Sequence, residues 1–327
     1  MSFTIVEPAR FRLNRSQLFV PGIRPELLPK AAKGAADIIN IDLEDSVPVA
    51  EKPKARANVV KALSEVDFGD KTVSVRINAC DTHFMYRDLV DLIEGGGERL
   101  DLVMLPKIGT PADIYAVDML VTQIEAAVGR KKKLGFEIII ESALGMANVE
   151  AIAAASPRNE SLHFGPADYA ASIKARTVGI GGFNADYAML ADAQPDGSRP
   201  LHFGDPWHFA LSKIAVAARA RGLRAVDGPY GNFSDPEGFK AQARRSVSLG
   251  YEGKWAIHPS QVALANEMFS PTEAEVGQAK RILDAMEQAR KDGLGAVTLD
   301  GKLIDLASIR QAQVMVQASA IIAGRGA

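Results

Sequence analysis

The sequence predicts an α/β protein, a (β/α)8 barrel followed by a C-terminal helical extension. Three observations carry that expectation. Short β-branched runs recur eight times, helical segments lie between them, and the 327 residues exceed the roughly 250 of a barrel by one further segment. In chain order the runs are QLFVPG (17–22), DIINIDLED (37–45), TVSVRIN (72–78), LDLVMLPK (100–107), LGFEIIIES (134–142), SLHFGPAD (161–168), LRAVDGP (223–229) and GKWAIHPS (253–260). The clearest helix between them is 111–128, where Ile114, Val117, Val121, Ile124 and Val128 mark one buried face. Helix starts are written as a capping residue followed by proline at Thr110-Pro111, Asp205-Pro206, Asp235-Pro236 and Ser270-Pro271, the last completed by Glu273 as a capping box. The barrel is expected to occupy residues 1–270. Residues 271–327 then read as two helices, about 272–292 and 306–323, that form a separate helical segment. An insertion, 171–204, separates the sixth and seventh strands, and its GIGG reads as a turn rather than a phosphate loop.

Composition narrows the function. The chain is 47% apolar and 24% charged, and its 38 basic and 40 acidic residues leave a net charge of −2. No global field attracts nucleic acid or an anionic membrane, so neither is an expected partner. The N-terminal stretch has no apolar signal core and no run is long enough to span a bilayer, which points to a cytoplasmic protein. Cys80, the single cysteine, excludes an intrachain disulfide and has no neighbour that would activate it.

Barrels carry their chemistry at the C-terminal ends of strands. Every run here ends in something ionisable: Arg24 beyond the first, Asp42, Glu44 and Asp45 on the second, then Arg76, Lys107, Glu141, Asp168, Asp227 and His258. Glu141 closes an apolar run, where an acid needs a partner. Two readings stand: Glu141 and Asp168 hold a hard divalent ion such as Mg2+, or Glu141 pairs with Arg76 or Lys107. Arg76 is placed to meet a carboxylate or an oxyanion. Arg24 and Lys30, beside the first helix, suit an anion or a solvated helix face. His163, inside the sixth strand, reads as a core residue, and Asp305 reads as the N-cap of the last helix.

The segments QLFVPG, INIDLEDSV, SVRIN, EIIIESALG, FGPAD, GDPWH, VDGPYGNFSDPEGF, GKWAIHPSQVALAN and DGKLIDLASIRQAQ, spread over residues 16–317, resemble the citrate lyase β-subunit/malyl-CoA lyase family. The resemblance implies a TIM barrel, a homo-oligomer (trimer or hexamer), and a C-terminal lid that also serves assembly. It implies Mg2+, for which Mn2+ can substitute, and a CoA thioester substrate, with (S)-malyl-CoA cleaved reversibly to acetyl-CoA and glyoxylate, and β-methylmalyl-CoA as a further substrate. Carried over by position, it assigns Glu141 and Asp168 to the metal, and Arg76 to the glyoxylate carboxylate or thioester oxygen. Phe19, Arg24 and Lys30 are assigned to coenzyme A, and Ala167, Ile257 and His258 to the substrate pocket. For Asp305 it implies a catalytic acid delivered by a neighbouring subunit. Alternatives on the same scaffold are a malyl-CoA thioesterase, a citramalyl- or citryl-CoA lyase and a non-catalytic CoA-binding protein. A phosphate-binding aldolase barrel fits VDGPYGNF only weakly.

Overall fold

The computed structural model describes residues 6–177 and 179–325. Strand and helix alternate from the start: β1 (Ser16–Pro21), α1 (Leu28–Lys33), β2 (Ile38–Asp42), α2 (Lys52–Glu65), β3 (Thr72–Arg76), α3 (Met85–Gly95), β4 (Leu102–Leu105), α4 (Pro111–Ala127) and β5 (Gly135–Ile140). The short helices α5 (Ala143–Ala147) and α6 (Val149–Ala153) lead to β6 (Asn159–Phe164) and α7 (Pro166–Ser172). A hairpin of β7 (Ala188–Leu190) and β8 (Leu201–Phe203) precedes α8 (His208–Arg219), β9 (Arg224–Asp227), α9 (Pro236–Ser248), β10 (Gly253–Ala256) and α10 (Ser260–Met268). Strands β1–β6, β9 and β10 close into a barrel in the order β1-β10-β9-β6-β5-β4-β3-β2, and every pairing is parallel. The predicted (β/α)8 barrel is therefore present.

The barrel forms because its strands are buried on both faces, the inner by one another and the outer by helices. Every residue of β2, β3, β4 and β5 is buried. Helix α4 turns Ile114, Val117, Val121 and Ile124 inward as the spacing requires, while Val128 lies past its last turn and is exposed. Thr110 and Asp113 form a capping box at its start, and Asp235 caps α9 through the Gly238 N–H.

The insertion is more ordered than a plain turn. Its two three-residue strands pair antiparallel, with His202 in β8.

The chain divides into two compact units, one through Asn266 and the other from Glu267. The second contains α11 (Glu273–Lys291), the antiparallel pair β11 (Val297–Leu299) and β12 (Lys302–Ile304), and α12 (Leu306–Arg325), with Ala279, Met286, Ala289, Ile304 and Ala312 buried. The capping box of α11 is made by Thr272 and Glu275, not by Ser270 and Glu273. Pro271 lies outside the helix, so the cap falls two residues later than the capping-residue–proline rule suggests. Among the described residues no helix is long and apolar enough to cross a membrane.

Candidate active site

Register builds the site. β2 and β3 pair with Asp42 opposite Arg76, so the carboxylate and the guanidinium leave the barrel side by side at its C-terminal end. Asp42 Oδ1 accepts from Arg76 Nε at 2.6 Å and Oδ2 from Nη2 at 2.7 Å, a two-pronged pair buried on both sides. The backbone N–H groups of Glu44 and Ser46 also donate to Asp42. Burial pushes the Asp42 carboxyl up, but the charge and hydrogen bonds of Arg76 outweigh it and hold the group below its ordinary range. Arg76 Nη1 lies 3.0 Å from Glu44 and 3.5 Å from Asp45, and its guanidinium sits 5.5 Å from the centre of the Phe19 ring. Asp42 thus holds the Nε and Nη2 side while Glu44 and Asp45 lie against Nη1, so the guanidinium is fixed by acids on both sides beside Phe19.

Glu141 follows β5 and is buried. Its Oε1 accepts the backbone N–H of Lys107 at 2.7 Å, and no cationic side chain among the described residues forms an ion pair with it. Lys107 reaches that position with φ 54°, a left-handed conformation costly for a lysine. Its ammonium turns instead to Glu44 at 2.8 Å and Asp45 at 3.3 Å. The ion-pair reading of Glu141 is thereby set aside.

Burial first, and then the charges of Glu44 and Asp168, push the Glu141 carboxyl up to about 8. Glu44, raised mainly by burial, stands at about 7. Gly165, between the neighbouring strand β6 and α7, lets this carboxylate fit, since a Cβ there would lie 2.5 Å from Glu141 Oε2. Asp168, placed at a strand end by the sequence, sits instead in the first turn of α7, and its half-buried carboxylate faces the same cleft. Two acids, one buried without a cation, form a donor set suited to a hard divalent ion completed by water and substrate oxygens. Among the described residues no three His, Cys, Asp or Glu side chains form a metal cage, so these two would be the protein's share.

The cleft encloses about 280 Å³ and is lined by Phe19, Asp42, Asp45, Arg76, Glu141, Ala167, Asp168, Ile180, Pro229, Trp255 and Ile257, among others. Six residues assigned through the resemblance thus meet there, Phe19, Arg76, Glu141, Ala167, Asp168 and Ile257, together with the strand-end acids Asp42 and Asp45. Arg24 does not, and pairs with Glu26 at the surface. Lys30 is exposed on α1. His258 is exposed outside the cleft lining, its ring stacked on Phe233 at 4.8 Å and its Nδ1 2.8 Å from Ser260 Oγ. Asp227 belongs to the helix layer, where it takes Lys254 Nζ at 2.7 Å and Ser246 Oγ at 2.6 Å. Asp305 accepts the Ala307 and Ser308 backbone N–H groups at the start of α12, as a cap does. Cys80 is inert, its thiol pushed up to about 11 by burial and then by Asp113 and Asp81.

Trp255 and Ile180 were not anticipated. Trp255 stacks on Phe19 with centroids 4.3 Å apart and donates its Nε1–H to His163 Nδ1 at 2.8 Å. The indole can only donate, so Nδ1 of the buried His163 is an acceptor and its proton sits on Nε2, towards Ser161 Oγ at 2.8 Å and Glu137 at 3.5 Å. His163 is the satisfied core residue expected. Below it Glu137, also unanticipated, is held inside the barrel by Gln17 and Ser74.

The family profile described as HpcH/HpaI aldolase/citrate lyase matches residues 15–259. The chain belongs to this family. An L-malyl-CoA/beta-methylmalyl-CoA lyase of Rhodobacter capsulatus is 55% identical, the match covering 97% of this chain and 98% of that protein. A malyl-CoA/beta-methylmalyl-CoA/citramalyl-CoA lyase of Chloroflexus aurantiacus is 38% identical over 90% of this chain and 84% of its own. Among solved structures, CitE of Mycobacterium tuberculosis in complex with magnesium, acetoacetate and coenzyme A superposes with a TM-score of 0.71 at 28% identity, covering 94% of this chain and 98% of that one.

Proposed function

We propose that this HpcH/HpaI-family protein is a Mg2+-dependent carbon–carbon lyase that cleaves (S)-malyl-CoA to acetyl-CoA and glyoxylate and runs in reverse as a Claisen-type condensation. The observation that carries this reading is Glu141, a buried acid with no cationic partner among the described residues, beside Asp168 in a cleft that also presents a braced guanidinium. Glu141 and Asp168 would hold the cation, which when bound supplies a Lewis acid for the substrate hydroxyl and carboxylate. The rest of the chemistry belongs to the chain. Cleavage removes the hydroxyl proton, breaks the C2–C3 bond and sends its electron pair into the thioester, whose terminal carbon then takes a proton to become acetyl. Arg76, fixed by Asp42 and Glu44, lines the cleft and would set its positive charge against the carboxylate or the oxygen that gains charge. Asp305, brought by a neighbouring subunit, is assigned the proton exchange at the acetyl carbon.

That role makes the protein a homo-oligomer, a trimer or hexamer, and makes the segment from 271 a lid over a partner's cleft. Arg24 and Lys30, exposed cations at the surface of the barrel unit, would take the phosphates of coenzyme A, and His258 would border the pocket. Among the described residues no helix is long and apolar enough to cross a membrane, and a CoA thioester substrate would suit a cytoplasmic enzyme.

Product analysis tests the assignment. Acetyl-CoA and glyoxylate in equal amounts, with no free thiol, support the lyase; free CoA and malate without glyoxylate would instead make it a thioesterase.

A further inference from the structure

We propose that Ile180 governs acceptance of a methyl group on the carbon beside the thioester, and that the glycine-rich turn around it serves to fix that side chain as a wall of the cleft. The proposal rests on the lyase reading above. Strand order divides the cleft into two arcs. Asp42 and Arg76 on β2 and β3, Glu141 just past β5 and Asp168 in α7 after β6 form the charged arc. Phe19 on β1, Trp255 on β10 and Ile257 and Pro229 just past β10 and β9 form an apolar one.

Ile180 joins the apolar arc from outside the barrel. Its carbonyl accepts the Gly231 N–H at 3.0 Å in the loop after β9, and a Cβ on Gly231 would stand 3.0 Å from the Ile180 Cβ. Gly181 and Gly182 follow with φ of 69° and 89°, in the left-handed region that only glycine enters freely. The Gly182 carbonyl then accepts the indole N–H of buried Trp207 at 2.9 Å. A loop that only bridged two elements would need no such anchoring. It leaves an isoleucine 41% exposed in the lining of a charged cleft.

A malyl thioester has matching halves. Its hydroxyl and carboxylate belong with the charged arc, so the carbon next to the thioester passes towards the apolar arc, and any methyl on it meets an aliphatic wall. Ile180 can vary without disturbing a barrel strand, which makes it the adjustable part of that wall.

The test compares kcat/KM for (S)-malyl-CoA and β-methylmalyl-CoA in the full-length wild type, Ile180→Val and Ile180→Ala, with melting temperatures to monitor folding. The ratio of methylated to unmethylated turnover is expected to fall about tenfold in Ile180→Ala, the low end of what one methyl group in an apolar pocket confers. It should fall by an intermediate amount in Ile180→Val, a one-methyl deletion that leaves folding intact even if the alanine variant is unstable. A ratio within about twofold of wild type in Ile180→Val and Ile180→Ala, or a parallel loss on both substrates that places the contact on the coenzyme arm, overturns the proposal. Wild type that releases glyoxylate from neither substrate would overturn the lyase reading itself, and this assignment with it.

Discussion

Replacing Asp42 by Asn tests whether the site is organised around the Asp42–Arg76 pair. The structure shows hydrogen bonds of 2.6 and 2.7 Å between two buried side chains, plus two backbone N–H groups donated to the same carboxylate. A hydrogen bond to a charged group contributes about 1.5–3 kcal/mol. An amide oxygen keeps one such bond, its NH2 faces donors, and Glu44 remains 3.0 Å from Nη1. The expected loss is about 3–5 kcal/mol, the range for removing one partner of a buried pair. Urea unfolding of Asp42→Asn, Arg76→Met and the double variant measures it, and the cycle should give a coupling of at least about 2 kcal/mol. The pH dependence has a definite sign. The folded carboxyl is held below its ordinary 3.8, so the contribution is fully present above that value and is lost as pH falls through the lower, folded one. The Asn variant lacks this acid-side decline. A loss under about 1 kcal/mol with additive single variants would refute the reasoning.

Three further outcomes are expected. Since the metal-free Glu141 carboxyl keeps its proton up to about 8, Gln mimics its neutral form; Glu141→Gln should leave metal-free melting at pH 7 nearly unchanged while abolishing the Mg2+-induced rise, both read by calorimetry. Asp305→Asn preserves a good helix cap and should not alter melting, yet should lower malyl-CoA turnover at least about a hundredfold if Asp305 exchanges the proton. Asp305→Ala should in addition cost about 0.5–2 kcal/mol, measured by the same melting experiment. Trp255→Phe keeps a ring against Phe19 but removes the indole N–H donated to His163 Nδ1, so chemical denaturation should show a loss of about 1–3 kcal/mol.

The barrel was legible because strands buried on both faces are written as short, largely apolar β-branched runs such as DIINID and EIIIES, repeated eight times with helical segments between them. The hairpin 188–203 was not, since AML and LHF are too short and too exposed to show a period. Within the site, strand ends located Arg76 and Glu141, whereas Ile257 came only with the family resemblance, and parity decided which strand-end charges face the cleft. Val226 points into the barrel core, so Asp227 must point at the helices, and it is spent on Lys254. The same alternation places Glu137 on the face of Glu141, four residues on, though a run read as uniformly apolar conceals it. Ile180 has no strand to index it; only the tertiary contact between the insertion and Gly231 brings it to the cleft.

The most direct measurement is the Mg2+ dependence of glyoxylate release from (S)-malyl-CoA by the wild type and by Asp168→Asn. The account predicts that excess chelator abolishes release in the wild type, that added Mg2+ restores it without free CoA, and that Asp168→Asn needs far more Mg2+ for the same rate. Full glyoxylate release in chelator, or equal Mg2+ requirement in the two proteins, would contradict it.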